Sequence, residues 1–170
     1  MTATTTKPPS RPADPTHQVV IGTPIGNLLL RANERALTHV LLPNAHTARP
    51  KRPTPDPSGW PPLDRAVTQL LEYFAKERTT FSLDLEPTGT PFQCEVWWSL
   101  AEIPYGETIS YAELAGWVGR PRAFRAVGQA NGANPLPIVL PCHRVIASGG
   151  GLGGYGGGLA VKSQLLALEQ

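Results

Sequence analysis

Three short apolar runs, separated by turn residues, follow one another between positions 17 and 42. They read QVVIG, GNLLLRA and ALTHVLL, and the breaks between them are Gly22-Thr23-Pro24 and Asn33-Glu34. Aliphatic and β-branched runs of this length, bounded by Gly, Pro and Asn, are typical of β-strands joined by tight turns. This part of the chain therefore predicts an antiparallel three-stranded meander.

A helical spacing of apolar residues replaces the strand pattern at Leu63. These residues recur at positions 63, 66, 67, 70, 71 and 74, on one face of a helix. We expect a helix over 63–77 that packs on the meander. The segment FSLDL, 81–85, alternates like a short half-buried strand, and the chain is then broken at 87–91. The pattern predicts an N-terminal α/β supporting domain over 17–88 and a second domain over 89–170.

Two other segments are rich in proline. Residues 1–16 hold four prolines and almost no bulky apolar side chain, which predicts a disordered tail. Residues 43–62 hold seven prolines, so neither a helix nor a central strand is expected there. We interpret 43–62 as a linker loop at the surface of the N-terminal domain.

The second domain is predicted to be mostly helical, with helices over 92–101 and 161–169 at its two ends. Between them, Ser110 and Glu113 have the spacing of a capping box, so a helix is expected to begin at Tyr111. Gly119 suits the left-handed end of that helix. Pro121 suits the first turn of a following helix over 122–131. The result is a helix-turn-helix.

The distribution of charge is more informative than the net charge of +2. No Asp or Glu occurs between positions 114 and 168, where the cations are Arg120, Arg122, Arg125, Arg144 and Lys162. A polyanion could bind there, although glycine-rich segments also tend to hold few acids. The arginine-rich turn favours DNA, and the small residues Ala123, Ala126 and Gly128 would allow close approach of DNA or of another helix.

Location and redox state follow from what the sequence lacks. No apolar run reaches the ~18 residues of a membrane-spanning helix, and the N-terminus has no secretory signal, so we expect a cytoplasmic protein with no membrane partner. Its two cysteines, Cys94 and Cys142, are expected to be free thiols, too few for a zinc ribbon. Cys94 has no adjacent base and is interpreted as structural.

The chemistry centres on Pro141–Val145, PCHRV, which follows a buried apolar run. A thiol of ordinary pKa, ~8.5, becomes a strong nucleophile when a base or a positive charge stabilises the thiolate. Cys142 is the candidate nucleophile, and His143 is a candidate base acting directly or through a water. An isolated Cys-His pair is also common as a purely structural feature. Glu169 is the candidate partner that orients His143.

A glycine-rich loop follows the Cys-His pair, with eight glycines among residues 149–158. It is not a dinucleotide-binding loop, because no strand-helix unit with a following acidic residue accompanies it. It leaves room for a flat ligand beside Tyr155, and a flexible linker is the alternative interpretation.

These motifs, in this order, resemble those of the O6-alkylguanine-DNA alkyltransferases. The resemblance covers about residues 17–170 and rests on TPFQCEVWWSL, IPYGETISYAELA, GRPRAFRAVGQANGANPLPIVLPCHRVI and GGYGGGLAVKSQLLALE. It implies an α/β (α+β) fold, with a ribonuclease H-like N-terminal domain of three antiparallel strands and a helix. The C-terminal domain would hold the helix-turn-helix and the active-site cysteine. The implied activity is direct reversal of DNA damage, in which the alkyl group of O6-alkylguanine, and of O4-alkylthymine, moves irreversibly to the protein after base flipping.

The resemblance also assigns roles to single residues. Cys142 would accept the alkyl group, His143 would deprotonate it through a water, and Glu169 would support the histidine. Asn134 matches the family's hinge asparagine, and Tyr111 would contact the flipped base and help protonate the leaving guanine. Arg125 would fill the gap left in the duplex. The implied DNA-binding residues are Arg120, Arg122, Arg125, Tyr111, Ala123, Ala126 and Gly128, and the implied pocket residues are Pro137, Val145, Tyr155, Gly156 and Gly157.

The implied partner is the minor groove of double-stranded DNA, bound by a monomer. No cofactor and no metal are expected, since Cys94 and Cys142 do not supply the N-terminal zinc site of some members. Gly156 stands where many members have serine, and Gly154 replaces a larger residue, so the hypothesis is a roomier pocket that accepts groups larger than methyl. Because a thioether offers water no electrophilic carbonyl, one turnover per molecule is expected.

Two other classes of protein stay open from the residues alone. A cysteine hydrolase would use the same Cys-His-Glu set but would turn over repeatedly without DNA. A non-catalytic sensor of alkylated DNA would share the fold, although the alkyltransferase-like sensors replace the cysteine that Cys142 retains.

Overall fold

A computed structural model describes residues 17–43 and 59–170. Three antiparallel strands open the fold in the order β1-β2-β3: β1 is His17–Thr23, β2 is Gly26–Ala32 and β3 is Leu37–Leu41. The predicted meander is confirmed: three consecutive aliphatic residues in each of β1 and β2 are buried, so both faces of these strands are covered, and Gly26, at φ 111°, closes the first turn. The predicted tail, 1–16, and most of the predicted linker lie outside the described residues.

The first helix, α1, spans Pro61–Phe74 and packs its buried face on β1 and β2. The expected helix over 63–77 therefore begins earlier and ends earlier. The expectation that the proline-rich segment excludes a helix is wrong at Pro61 and Pro62, because a helix tolerates proline in its first turn, where the N–H has no partner. The chain turns away after Phe74, and Lys76 adopts a positive φ of 62°.

The strand expected over 81–85 is wrong except at its last residue. Leu85 forms a single parallel bridge to Leu37. In this bridge the Leu37 amide donates to the carbonyl of Asp84, and the Glu86 amide donates to the carbonyl of Leu37. The rest of the segment pairs with no strand among the described residues and instead packs Phe81 and Leu83 on the core. Its alternation comes from packing of side chains rather than from a sheet ladder.

The C-terminal half begins with α2, Pro91–Leu100, and continues through β4, Ile109–Ser110, into α3, Tyr111–Trp117. The capping box of α3 is confirmed: the Ser110 side chain accepts from the Glu113 backbone and the Glu113 carboxylate accepts from the Ser110 backbone. Gly119 has the expected positive φ, 71°. A second capping box, Thr90 with Gln93, starts α2 and was not among the predicted features.

The helix-turn-helix is completed by α4, Phe124–Gly132. This helix starts two residues later than expected, because the amide of Ala123 donates to the carbonyl of Arg120 and closes a turn that contains Pro121. Pro121 therefore lies in the turn and not in the first turn of the helix. The arginines of the turn remain at the surface.

The chain then returns to the sheet side of the molecule. The amide of Val40, in β3, donates to the carbonyl of Pro135, and a 3-10 turn over Cys142–Arg144 leads into β5, Val145–Ile146, which pairs in parallel with β4. The last helix, α5, spans Leu159–Leu168. Within the described residues, no helix combines the length and the apolarity that crossing a membrane requires.

Candidate active site

A cavity of about 770 Å³ opens between β3, α3, α4 and the glycine-rich loop. Its walls carry many of the residues that the sequence analysis selected. Those lining it are Cys142, Tyr111, Arg125, Gly128, Asn134, Pro137, Gly154, Tyr155 and Gly156, together with Val40, Leu41, Leu42, Phe124, Gln129, Asn131 and Gly132. The N-terminal half therefore contributes part of the wall.

Cys142 opens the 3-10 turn and is only 4% exposed. Burial raises the pKa of its thiol, whereas hydrogen-bonding interactions with Asn134 and Tyr155 and the positive charge of Lys162 lower it. The net pKa lies above the ordinary value, so the resting thiol is protonated. The Tyr155 hydroxyl has no hydrogen bond of standard geometry within the described part of the chain, and it affects the thiol as a nearby donor.

Two asparagines hold the backbone around the thiol. The Asn134 amide donates to the carbonyl of Leu140 at 2.7 Å and accepts from the amide of Leu136 at 2.9 Å, which closes the loop between α4 and the 3-10 turn. Asn131, on α4, donates to the carbonyl of Cys142 at 3.4 Å. Asn134 is predicted from the sequence, whereas Asn131 is not, because it has no motif of its own.

His143 is fully buried and its Nε2 lies 2.8 Å from Oε1 of Glu169. Since a carboxylate only accepts hydrogen bonds, Nε2 carries the proton and Nδ1 is left with a lone pair. Nδ1 has no hydrogen-bond partner among the described protein groups. Burial lowers the pKa of His143, and the hydrogen bond and charge of Glu169 oppose that effect only in part. The histidine is therefore a neutral base.

Glu169 is the C-cap of α5 and receives donors from both halves of the chain. Arg144 donates from Nε to Oε2 and from Nη2 to Oε1, each at 2.9 Å, and Tyr73, in α1, donates to Oε1 at 2.7 Å. Although burial alone raises the pKa of Glu169, the hydrogen bonds from His143 and Arg144 outweigh it and lower the pKa to about 2. The carboxylate is ionised at every physiological pH.

Tyr111 and Lys162 hold the glycine-rich loop over the cavity. The Tyr111 hydroxyl donates to the carbonyl of Gly154 at 3.4 Å. Lys162 is fully buried, and its ammonium donates to the carbonyls of Val145 at 2.6 Å, of Leu152, and of Gly154 at 3.4 Å. The sequence signal for Lys162 was its place in the acid-free region, which indicated a surface cation and gave no sign of burial.

The five cations of that region separate into two groups. Arg144 and Lys162 are buried and are bound by Glu169 and by backbone carbonyls respectively. Arg120, Arg122 and Arg125 are exposed on the helix-turn-helix, where Arg120 lies 4.0 Å from Glu95 and over the ring of Phe92. The surface charge left for a polyanion thus comes from the turn and from α4.

Some expected pocket and binding residues lie outside the cavity wall. Val145 is fully buried, pairs with Ile109 of β4 and offers its carbonyl to Lys162. Gly157 packs against Leu42, which a Cβ at that position would approach to 2.6 Å. Ala123 is half-buried at the start of α4 and Ala126 is exposed, and neither lines the cavity. Phe124, 51% exposed at the cavity rim, was not predicted. Among the described residues, no cluster of three or more His, Cys, Asp and Glu could hold a metal.

Comparison with known proteins gives matches over both halves of the chain. The family profile described as 6-O-methylguanine DNA methyltransferase, ribonuclease-like domain, matches residues 17–87, and the DNA binding domain of the same name matches residues 91–170. The methylated-DNA–protein-cysteine methyltransferase of Mycobacterium tuberculosis is 48% identical over 156 residues, which cover 91% of this chain and 92% of that protein. The constitutive Bacillus subtilis protein of that name is 46% identical over 151 residues, 87% and 92% of the two chains.

Solved structures agree. The crystal structure of Mycobacterium tuberculosis OGT in complex with DNA superposes with a TM-score of 0.79 at 47% identity, covering 88% of this chain and 90% of that one. An O6-methylguanine-DNA methyltransferase from Pyrococcus kodakaraensis is more distant, with a TM-score of 0.53 at 25% identity, over 88% and 97% of the two chains.

Proposed function

The chain belongs to the 6-O-methylguanine DNA methyltransferase family and repairs DNA by moving an alkyl group onto one of its own cysteines, and on this premise we propose that Cys142 is the acceptor and O6-alkylguanine the donor. The observation that carries the proposal is the position of Cys142 on the wall of the large cavity, next in sequence to a buried His143–Glu169 pair. Cys94, the other thiol, is on α2, where its sulfur lies 3.8 Å from the carbonyl of Gly89.

The reaction begins with removal of the thiol proton. Because burial keeps Cys142 protonated at rest, a base must act at the moment of transfer, and Nδ1 of His143 takes the proton through a water. The thiolate attacks the alkyl carbon, an S–C bond forms, and the C–O6 bond breaks with its electron pair going to guanine. Glu169 holds His143 in the required tautomer and stabilises the imidazolium that forms.

The leaving guanine needs a proton, and Tyr111 is placed to donate it. The side chain lines the cavity, and burial, followed by the nearby Cys142, raises the pKa of its hydroxyl, so Tyr111 keeps its proton until the base accumulates negative charge. The product is an S-alkyl cysteine, which has neither an electrophilic carbonyl nor a good leaving group for water to exploit. Each molecule therefore reacts once.

The exposed face of the helix-turn-helix supports DNA binding through the minor groove. Gly128 and the exposed Ala126 of α4 permit close approach, as does the small Ala123 that precedes the helix. Arg125 lies at the rim of the cavity, where it can fill the space of a flipped nucleotide. A single chain supplies every group used, so we propose that the protein acts as a monomer with its domains divided as 17–88 and 89–170.

The absence of side chains at Gly154 and Gly156 supports acceptance of alkyl groups larger than methyl. A Cβ at Gly154 would meet no atom within 4 Å, and one at Gly156 would come only to 3.7 Å from the carbonyl of Gly132. The space that serine fills in many relatives is therefore open to substrate. O6-benzylguanine is expected to react, and failure of the benzyl group to transfer would contradict the larger pocket.

The test is intact-mass analysis after incubation with a duplex that carries one O6-methylguanine, followed by peptide mapping. We expect one methyl group per molecule, located on Cys142. The matched variants are Cys142→Ser, which should gain none, and Cys94→Ser, which should still gain one. Lesion-selective binding without transfer would indicate a damage sensor, and loss of both binding and transfer would favour a hydrolase.

A further inference from the structure

One contact of the candidate active site comes from the N-terminal half of the chain. Tyr73, in the last turn of α1, is fully buried and donates its hydroxyl proton to Oε1 of Glu169 at 2.7 Å, across 96 positions of sequence. The same oxygen accepts from Nε2 of His143 at 2.8 Å and from Nη2 of Arg144 at 2.9 Å. Three donors therefore share one carboxylate oxygen.

This sharing affects the histidine. A carboxylate stabilises an imidazolium by its charge and by the hydrogen bond it accepts, and each further donor withdraws part of that capacity. The Tyr73 bond lowers the pKa of Glu169, in the same direction as the bonds from His143 and Arg144. A carboxylate so occupied attracts the proton of His143 less strongly.

We propose that Tyr73 is a positioning residue for alkyl transfer, whose hydroxyl fixes Glu169 and moderates its pull on His143 so that the histidine remains a neutral base. This inference rests on the proposed function. It gives the N-terminal half a direct influence on proton transfer, in addition to its contribution to the cavity wall.

Other charged and titratable groups also surround the His143–Glu169 pair. Arg144 approaches from the 3-10 turn, Lys162 from α5, Tyr105 from the loop after α2, and Cys142 and Tyr155 from the cavity side. Arg144 and Lys162 both lower the pKa of His143 by their charge. Tyr73→Phe retains every one of these residues and removes only the hydroxyl that donates to Glu169.

A purely structural role for Tyr73 is the competing explanation. Its ring lies 5.2 Å from that of Phe74, 5.6 Å from that of Phe81 and 6.2 Å from that of Tyr105. Phenylalanine preserves these ring contacts and removes only the donor, so Tyr73→Phe separates the two explanations.

The experiment measures single-turnover methyl transfer to Cys142 between about pH 5 and pH 8, with an NMR titration of the His143 imidazole in the same proteins. Without the hydroxyl, the carboxylate attracts the imidazolium proton more strongly and the pKa of His143 rises. The acidic limb of the rate profile should move up by about half to one pH unit.

The control is Tyr105→Phe, which removes a hydroxyl of the same cluster whose hydrogen bond, 3.3 Å, goes to the carbonyl of Leu168 and not to Glu169. It should leave the limb in place. Site-specific replacement of Tyr73 by 3-fluorotyrosine retains the shape and donates more strongly, so the limb should move to lower pH. This second variant serves if Tyr73→Phe folds poorly.

A loss of rate at all pH values with an unchanged limb and an unchanged His143 titration would overturn the inference and leave Tyr73 as a packing residue. If the unmodified protein transfers no methyl group, the proposed function fails. The NMR titration still tests the link between Tyr73 and His143 in that event, because it needs no substrate.

Discussion

Replacing Glu169 by glutamine removes the carboxylate on which Tyr73, His143 and Arg144 converge. The amide has the same shape but only one acceptor oxygen, and its NH2 group faces donors. Arg144, which is 5% exposed, then loses the carboxylate with which it forms its ion pair among the described residues. Breaking one partner of a buried ion pair costs about 3–5 kcal/mol of stability, and we expect Glu169→Gln to lose that amount near neutral pH.

The loss has a pH dependence of known sign. The folded-state pKa of Glu169 is about 2, below its ordinary value of 4.5, because hydrogen bonds from His143 and Arg144 outweigh the effect of burial. Such a group contributes stability above its unfolded pKa and loses it as the pH falls through the folded one. The lowered pKa corresponds to a contribution of about 3 kcal/mol to the free energy of unfolding at neutral pH, and about 2 kcal/mol of this contribution is lost by about pH 3.

The assay is equilibrium urea unfolding of both proteins at about pH 7 and about pH 3, read as the difference in free energy of unfolding. The difference should be large at the higher pH and shrink by about 2 kcal/mol at the lower. Glu107→Gln, at an exposed position, controls for loss of a surface charge and should show neither effect. A Glu169→Gln difference below about 1 kcal/mol, or one of equal size at both pH values, would refute the reasoning.

Two further changes test the supports around the cavity. Lys162→Met removes an ammonium that binds three backbone carbonyls and whose charge lowers the pKa of Cys142. We expect faster proteolysis within 148–158, and we expect alkylation of the thiol at neutral pH to slow about tenfold. An unchanged pH profile of alkylation would contradict the charge effect. Ser110→Ala removes the capping box of α3 and should lower the free energy of unfolding by about 1 kcal/mol with an unchanged denaturant slope, whereas Ser163→Ala, at an exposed position of α5, should change little.

The parts of the fold that depend on interactions between residues close in sequence could be predicted from local patterns. The meander and the start of α3 depend on residues a few positions apart, such as Ser110 and Glu113, and both are confirmed. The bounds of α1 and α4 differ from the prediction by a few residues for local reasons, whereas the predicted strand over 81–85 is wrong because it depends on a distant partner. The segment 81–85 alternates like a strand, yet β3 offers it only the backbone of Leu37.

The chemical centre could be selected from sequence because its residues carry motifs. Cys142 and His143 are adjacent, and Asn134 and Tyr111 follow a family pattern. The number of cations in this region could be read from the sequence, but which of them are buried could not. Arg144 and Lys162 share the acid-free region with Arg125, and a sequence gives the sign of a charge without its burial. Only packing shows that Arg144 is bound by Glu169 and Lys162 by backbone carbonyls inside the protein, while Arg125 is exposed at the cavity rim.

The N-terminal half shows the limit of motif reading most clearly. It contains no cluster of catalytic residue types, so the sequence indicated a supporting domain. In the fold, Leu41 and Leu42 line the cavity, and Tyr73 reaches Glu169. A tyrosine on an amphipathic helix is ordinarily a core residue, and the ring of Tyr73 is one here. Its hydroxyl takes part in the site because Glu169, the C-cap of α5, lies within hydrogen-bond distance of it. A site formed by contact between two distant helices has no motif in the sequence, because each of its residues also fits the ordinary apolar and polar pattern of its own helix.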